Sequence, residues 1–226
     1  MTDQSARFVS AGTRRLQVTR NGRSILRSAG VPKPFVLVDT REKNWNEENL
    51  SRGTTELRSS VVPRPRFQPP KQPLPLFANH PNWIAGERRK ALKTGDYAVE
   101  EMEGALCLER KSLADIVACT VTYRERFLAS CARLARFRWK AILIEATFED
   151  IKGGFEPFDI PSGVHPNAVV GTLDAIEAKF GIPILYTSTV RRLATERAAS
   201  WLSKHFTYWW LEKNGHGRVL IDSDEL

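Results

Sequence analysis

Short apolar runs and longer helical stripes alternate along this chain. Residues 34–39 (PFVLVD) form a brief Val-rich apolar run between proline and charge, the pattern of a buried strand. Residues 86–100 and 105–111 read as two further strands, with EMEG (101–104) as the turn between them. SLADIVACTV (112–121) and YRERFLASCARLARF (123–137) read as helices. In the second, Phe127, Cys131, Leu134 and Phe137 recur at helical spacing, with arginines on the other faces. Another buried strand is expected over 139–146 (WKAILIEA), then a Gly-, Pro- and acid-rich loop over 147–164. A helix over 165–180 stops at Gly181, a strand covers 182–188, and a long helix over 190–213 closes the pattern. Strands followed by alternating helix and strand predict one α/β domain, a sheet with helices on its faces.

Two stretches fall outside that pattern. Residues 1–33 carry seven Lys or Arg against one acid, Asp3, and show little periodicity, so they read as a flexible basic N-terminal arm. Residues 44–80 hold six prolines between Val61 and Phe77 and read as an extended, polyproline-like insertion. The ordered domain is therefore expected over 34–212, with 213–226 as a tail. Charge adds a partner class. Lys and Arg outnumber Asp and Glu by 34 to 26, giving +8, which suits a polyanion through phosphate neutralisation.

Three cysteines without a CxxC pair argue against a disulfide framework or a zinc site. The four histidines are scattered, which argues against a histidine-based metal hydrolase; His165 stands near a helix start. No apolar run approaches the roughly 18 residues of a membrane span, and the first residues lack a signal-peptide apolar region. The expected setting is the cytoplasm, or the nucleoid in a prokaryote or phage, with no membrane partner. Trp201, His205, Tyr208 and Trp209 make a stripe on the last helix, readable as core, as a dimer face or as a base-stacking surface.

Candidate chemistry gathers around TGDY (94–97) and LCLERKSLAD (106–115). Strand alternation puts Glu109 and Lys111 on one face and Arg110 on the other. A hairpin brings Asp96 beside them. Two carboxylates from adjacent strands suit a hard divalent ion that keeps waters, and a lysine beside them suits an attacking water or a charged phosphoryl group. A solvated charged surface contains the same bare pattern by chance. Asp39 ends a buried strand, where α/β sheets place ligands, although a turn acid gives the same sequence. Asp115 stands three residues after Ser112, a capping-box spacing, so it reads as a helix cap that also lies near the site.

Taken in order, VDTRE (38–42), TGDY (94–97) and ERKSLAD (109–115) resemble the XPF-type nuclease domain, whose signature is a V-D-x-R-E strand end, then G-D-Y, then E-R-K-x-x-x-D. The resemblance runs over roughly 34–210 outside the Pro-rich insertion. It continues through YRERF, ARLARF, ILIE and HPNAVVGTLDAIEAKFGIPILYT, where it looks most like compact bacterial and phage versions. It implies a restriction-endonuclease-like mixed β-sheet between helices, and cleavage of branched or flapped DNA with Mg²⁺ or Mn²⁺. On this resemblance Asp39, Asp96 and Glu109 are the metal-proximal carboxylates and Lys111 is the catalytic lysine. Glu42 joins the catalytic set, while Arg41, Arg110 and Asp115 support it. Arg126, and Arg110 with it, are expected to face DNA phosphate.

The chain departs from the family pattern in the long gap between Asp39 and Asp96, and near Ser130, where relatives often carry Gln or Glu. The implied function is a metal-dependent DNA endonuclease acting on branched, flap, fork or other junction DNA in repair, recombination or phage DNA processing. A second copy or a different subunit is the implied assembly partner. A binding subunit that has kept the fold without the activity is the other reading.

Overall fold

The computed structural model describes residues 7–11, 14–19, 30–41, 77, 80, 81, 83–158, 160, 163–216 and 219–221. Glu42 and nearly all of the Pro-rich insertion lie outside these. Within the stretch read as a basic arm, β1 (Arg7–Ala11) and β2 (Arg14–Thr19) pair antiparallel. Further on, β9 (Val219–Ile221) joins β2 in parallel, giving a three-stranded sheet. Local periodicity carries no sign of a pairing between strands about 200 residues apart.

The main sheet holds β3 (Phe35–Asp39), β4 (Gly86–Lys90), β5 (Tyr97–Val99), β6 (Leu106–Ser112), β7 (Trp139–Glu145) and β8 (Ile184–Tyr186), in the order β4-β3-β5-β6-β7-β8. Its pairing is mixed. β5 runs antiparallel to both β3 and β6, whereas β3–β4, β6–β7 and β7–β8 are parallel. This is the expected mixed sheet flanked by helices in a single domain. One strand assignment needs correction: residues 86–100 are not one strand but two, β4 and β5, separated by residues 91–96. The break has a physical cause in Gly95, whose φ of +75° lies in the left-handed region that an extended strand excludes.

Among the described residues, five helices cover the two faces. α1 (Leu113–Thr120) starts from the expected capping box, with Ser112 and Asp115 each satisfying the other's backbone amide. α2 (Arg124–Leu134) and α4 (Pro166–Phe180) pack on the same face as α1, burying Phe127, Cys131, Val169, Leu173 and Ile176 against Cys107, Ile142 and Ile144 of the sheet. His165 caps α4 by accepting from the Asn167 amide through Nδ1, Pro166 stands at its first position, and Gly181 ends it at φ +59°. A short helix, α3 (Phe148–Lys152), and a 3₁₀ turn at Glu156–Phe158 occupy the span read as loop; a Thr147–Asp150 capping box starts α3.

The opposite face belongs to α5 (Arg191–Lys213). Its Ala194, Ala198 and Ala199 allow close approach to Leu106, Leu108, Ala141 and Leu143 of the sheet. Of the aromatic stripe, Trp201 is core, His205 lies 4.0 Å from it ring to ring, and Trp209 packs on the cluster, so packing is what the stripe does here. Among the described residues, no helix is long and apolar enough to cross a membrane.

Candidate active site

β6 is the strand that separates two chemistries. Leu106 and Leu108 point to the α5 face and Cys107 to the α1–α2 face. Continuing the alternation places Glu109 and Lys111 with Cys107, and Arg110 with the leucines. Glu109 and Lys111 are half-buried, and Lys111 Nζ donates to Glu109 Oε1.

Asp96 reaches them because its backbone is stitched from both sides. The Asp96 amide donates to Leu108 O on β6 at 3.0 Å, and its carbonyl accepts from the Asp39 amide on β3 at 2.8 Å. Its carboxylate Oδ2 accepts from the Arg110 amide at 2.7 Å, so a side chain satisfies a strand N–H where a strand carbonyl ordinarily would. Gly95 makes this approach feasible: a Cβ there would lie 2.2 Å from Cys107 Sγ and 3.2 Å from Leu108 O. The glycine of TGDY is thus required twice, by its φ and by the closeness of β6.

Asp39 ends β3 with only 2% of its surface exposed. Its carboxylate accepts from Arg41 Nε at 2.7 Å and from the Leu92 amide at 3.2 Å, and Arg41 also donates to Leu92 O. These contacts tie the segment after β4 to the end of β3.

All four groups line one open cavity of about 360 Å³, where Asp39, Asp96, Glu109 and Lys111 are joined by Arg41, Lys93, Arg126 and Arg133. Burial works against the Lys111 ammonium, yet the charge and hydrogen bond of Glu109, with the charge of Asp96, hold its pKa above the usual lysine value. Burial pushes the Cys107 thiol up, and the negative charges of Glu109 and Asp96 add to the shift. Beside burial, both shifts register the negative charge of Glu109 and Asp96.

The structure therefore brings Asp39, Asp96, Glu109, Lys111, Arg41 and Arg126 together. It does not bring Arg110. That side chain is 7% exposed on the α5 face, where Nε pairs with Glu145 Oε1 at 3.0 Å; Arg191 Nε lies 3.5 Å from the same oxygen. Its expected contact with DNA phosphate is corrected: a guanidinium buried behind the sheet has no path to a strand in the cavity. Asp115 completes the α1 cap, also accepts from Ser112 Oγ at 2.7 Å, and is not among the cavity-lining residues. Glu42 lies outside the described residues.

Sequence reasoning missed Lys93, Tyr123, Arg133 and Glu145. A signal for Arg133 was present: Arg126, Ser130 and Arg133 recur at i, i+4 and i+7, one face of α2. Glu145 ends an apolar strand as Asp39 does, but no motif residue stood beside it to single it out.

A mixed sheet whose strand ends gather carboxylates and a lysine under a cationic rim has the build of a nuclease-type domain. The ERCC4 domain matches residues 38–195, and the chain belongs to this family of XPF-type nuclease domains. Among solved structures it is similar to XPF from Aeropyrum pernix, at 15% identity and a TM-score of 0.47, over 81% of this chain and 69% of that one. Comparison with curated proteins finds no match.

Proposed function

We propose that this domain is a metal-dependent DNA endonuclease that hydrolyses phosphodiester bonds on branched, flap or fork DNA, in repair, recombination or phage DNA processing. The observation that carries the reading is the convergence of Asp96, Glu109 and Lys111 in one cavity rimmed by Arg41, Lys93, Arg126 and Arg133.

The donor set fits Mg²⁺ or Mn²⁺. Asp96 and Glu109 offer hard carboxylate oxygens, and Mg²⁺ commonly takes one or two carboxylates while keeping several waters. Among the described residues, no group of three or more His, Cys, Asp or Glu is spaced to form an all-protein cage. An aquo ion on Asp96 and Glu109, with Asp39 alongside, is the arrangement these residues suit. Such an ion supplies Lewis-acid polarisation of a phosphoryl oxygen and a more acidic water.

The rest falls to the chain's own groups. Lys111 donates toward the developing phosphorane charge and orients the attacking water. Arg126 and Arg133 hold flanking phosphates, where a planar guanidinium matches phosphate oxygens better than an ammonium does. Arg41 holds Asp39 in place.

The deciding assay incubates the protein with Mg²⁺ or Mn²⁺ on single-stranded, duplex, flap, fork and four-way DNA. Asp96→Asn and Lys111→Ala should abolish cutting and leave circular dichroism unchanged; Asn is chosen because it keeps an acceptor for the Arg110 amide. Equal cutting by wild type and both variants refutes the proposal. DNA binding without cleavage by wild type points instead to a binding subunit, and light scattering on the same sample reads pairing with a second copy.

A further inference from the structure

Tyr123 lines the same cavity, yet 55% of its surface is exposed. It stands at the N-cap of α2 and makes no side-chain cap bond. Its backbone is fixed: the amide donates to Ala118 O at 3.1 Å and the carbonyl accepts from the Phe127 amide at 2.9 Å. Core packing does not account for the ring, because Phe127, one turn further on, is 4% exposed and fills the core.

Its neighbours suggest what the ring meets. Tyr123, Arg126, Ser130 and Arg133 line the cavity from one stripe, an aromatic followed by two guanidiniums. At 1.5 Å of rise per residue, Arg126 and Arg133 are about 10 Å apart along the helix axis. That reach suits phosphates along a single backbone. An aromatic ring beside a phosphate-sized row of cations is the arrangement that binds unpaired strands: the cations track the backbone while a base stacks on the ring. A base-paired nucleotide, already stacked on both faces, gains little from it.

We infer that Tyr123 is the stacking platform for an unpaired DNA base flanking the phosphate held over Asp96 and Glu109. The inference rests on the nuclease reading of this cavity. It makes the α2 stripe the element that favours single-stranded character beside the cut.

The test measures binding in EDTA, where no cutting occurs, using a labelled oligo-dT and an abasic strand of equal length. Tyr123→Ala should weaken oligo-dT binding by about tenfold, and Tyr123→Phe should retain it. On the abasic strand, wild type and Tyr123→Ala should bind alike. The salt slope should stay the same for Tyr123→Ala and fall by about one for Arg126→Ala or Arg133→Ala. Unchanged oligo-dT binding by Tyr123→Ala overturns the inference, as does an equal loss on the abasic strand or no binding by wild type. Binding that follows this pattern in a protein that never cuts would leave the platform standing and remove the endonuclease assignment. Cutting by a protein indifferent to Tyr123→Ala would do the reverse.

Discussion

Arg110 Nε pairs with Glu145 Oε1 at 3.0 Å on the α5 face of the sheet, directly behind Glu109 and Lys111. Both side chains are largely buried, at 6% and 12% exposure, and Arg191 approaches the same oxygen, so losing the Glu145 carboxylate removes an acceptor shared by two buried guanidiniums. Removing one partner of such a pair costs about 3–5 kcal/mol. Glu145→Gln should therefore lower the unfolding free energy in urea by about that amount. The double variant with Arg110→Met should lose less than the sum of the two single losses. Strict additivity would show that the pair is not coupled.

Gly95 is the most constrained backbone position near the cavity. Gly95→Ala meets both the φ of +75° and the Cys107 Sγ contact, and should cost at least about 2 kcal/mol along with the placement of Asp96. Adding Cys107→Ala removes the sulfur but neither the left-handed φ nor the 3.2 Å approach to Leu108 O. The double variant should recover part of the stability. Full recovery would mean that φ was not a constraint.

Burial lowers the pKa of His205, Arg197 adds to the shift, and the hydrogen bond with Trp201 O opposes it. The folded value lies below the unfolded one of about 6.5, so the unfolded chain binds the proton more readily. This contribution is whole above about pH 6.5 and is lost as pH falls toward the folded value. The urea midpoint should decline between about pH 7.5 and 5.5, and His205→Gln should flatten that slope. His80 leaves a residual slope, since burial lowers its pKa too, with Glu196 opposing and Arg192 assisting.

Thiol labelling gives an independent check on packing. Cys131 is 1% exposed and, chiefly through burial, its thiol is pushed up to about 12. Cys107 is also 1% exposed, and its Sγ donates to Thr94 O at 3.2 Å. Iodoacetamide at neutral pH should leave both unmodified in the folded protein and label all three cysteines after unfolding, as read by mass spectrometry. Half-buried Cys119 should react first.

Much of the sheet was legible from apolar runs, because β3, β6 and β7 are buried on both faces and read as such. The split of residues 86–100 was not, since one glycine torsion decided it. Nor was the parallel pairing of β3 with β4, which depends on a partner some fifty residues away. At the site, alternation had already separated Arg110 from Glu109 and Lys111. Its expected DNA contact came from the resemblance, and the burial that contradicts it becomes visible only once α5 covers that face. Lys93 and Tyr123 gained meaning from a cavity shared by the end of β3, the segment before β5, β6 and α2, a relation between elements that no single window contains.

The backbone of Asp96 is stitched to both β3 and β6. On the proposed reading, the groups assigned to phosphate chemistry hang from strand ends of the sheet and the segment bonded between them, whereas the residues assigned to gripping the strand hang from a single helix face. Cutting and gripping would then rest on different elements of the fold. If that reading holds, exchanging the α2 stripe for another would retarget the domain to a different nucleic-acid shape while the carboxylates and lysine stay where the sheet holds them.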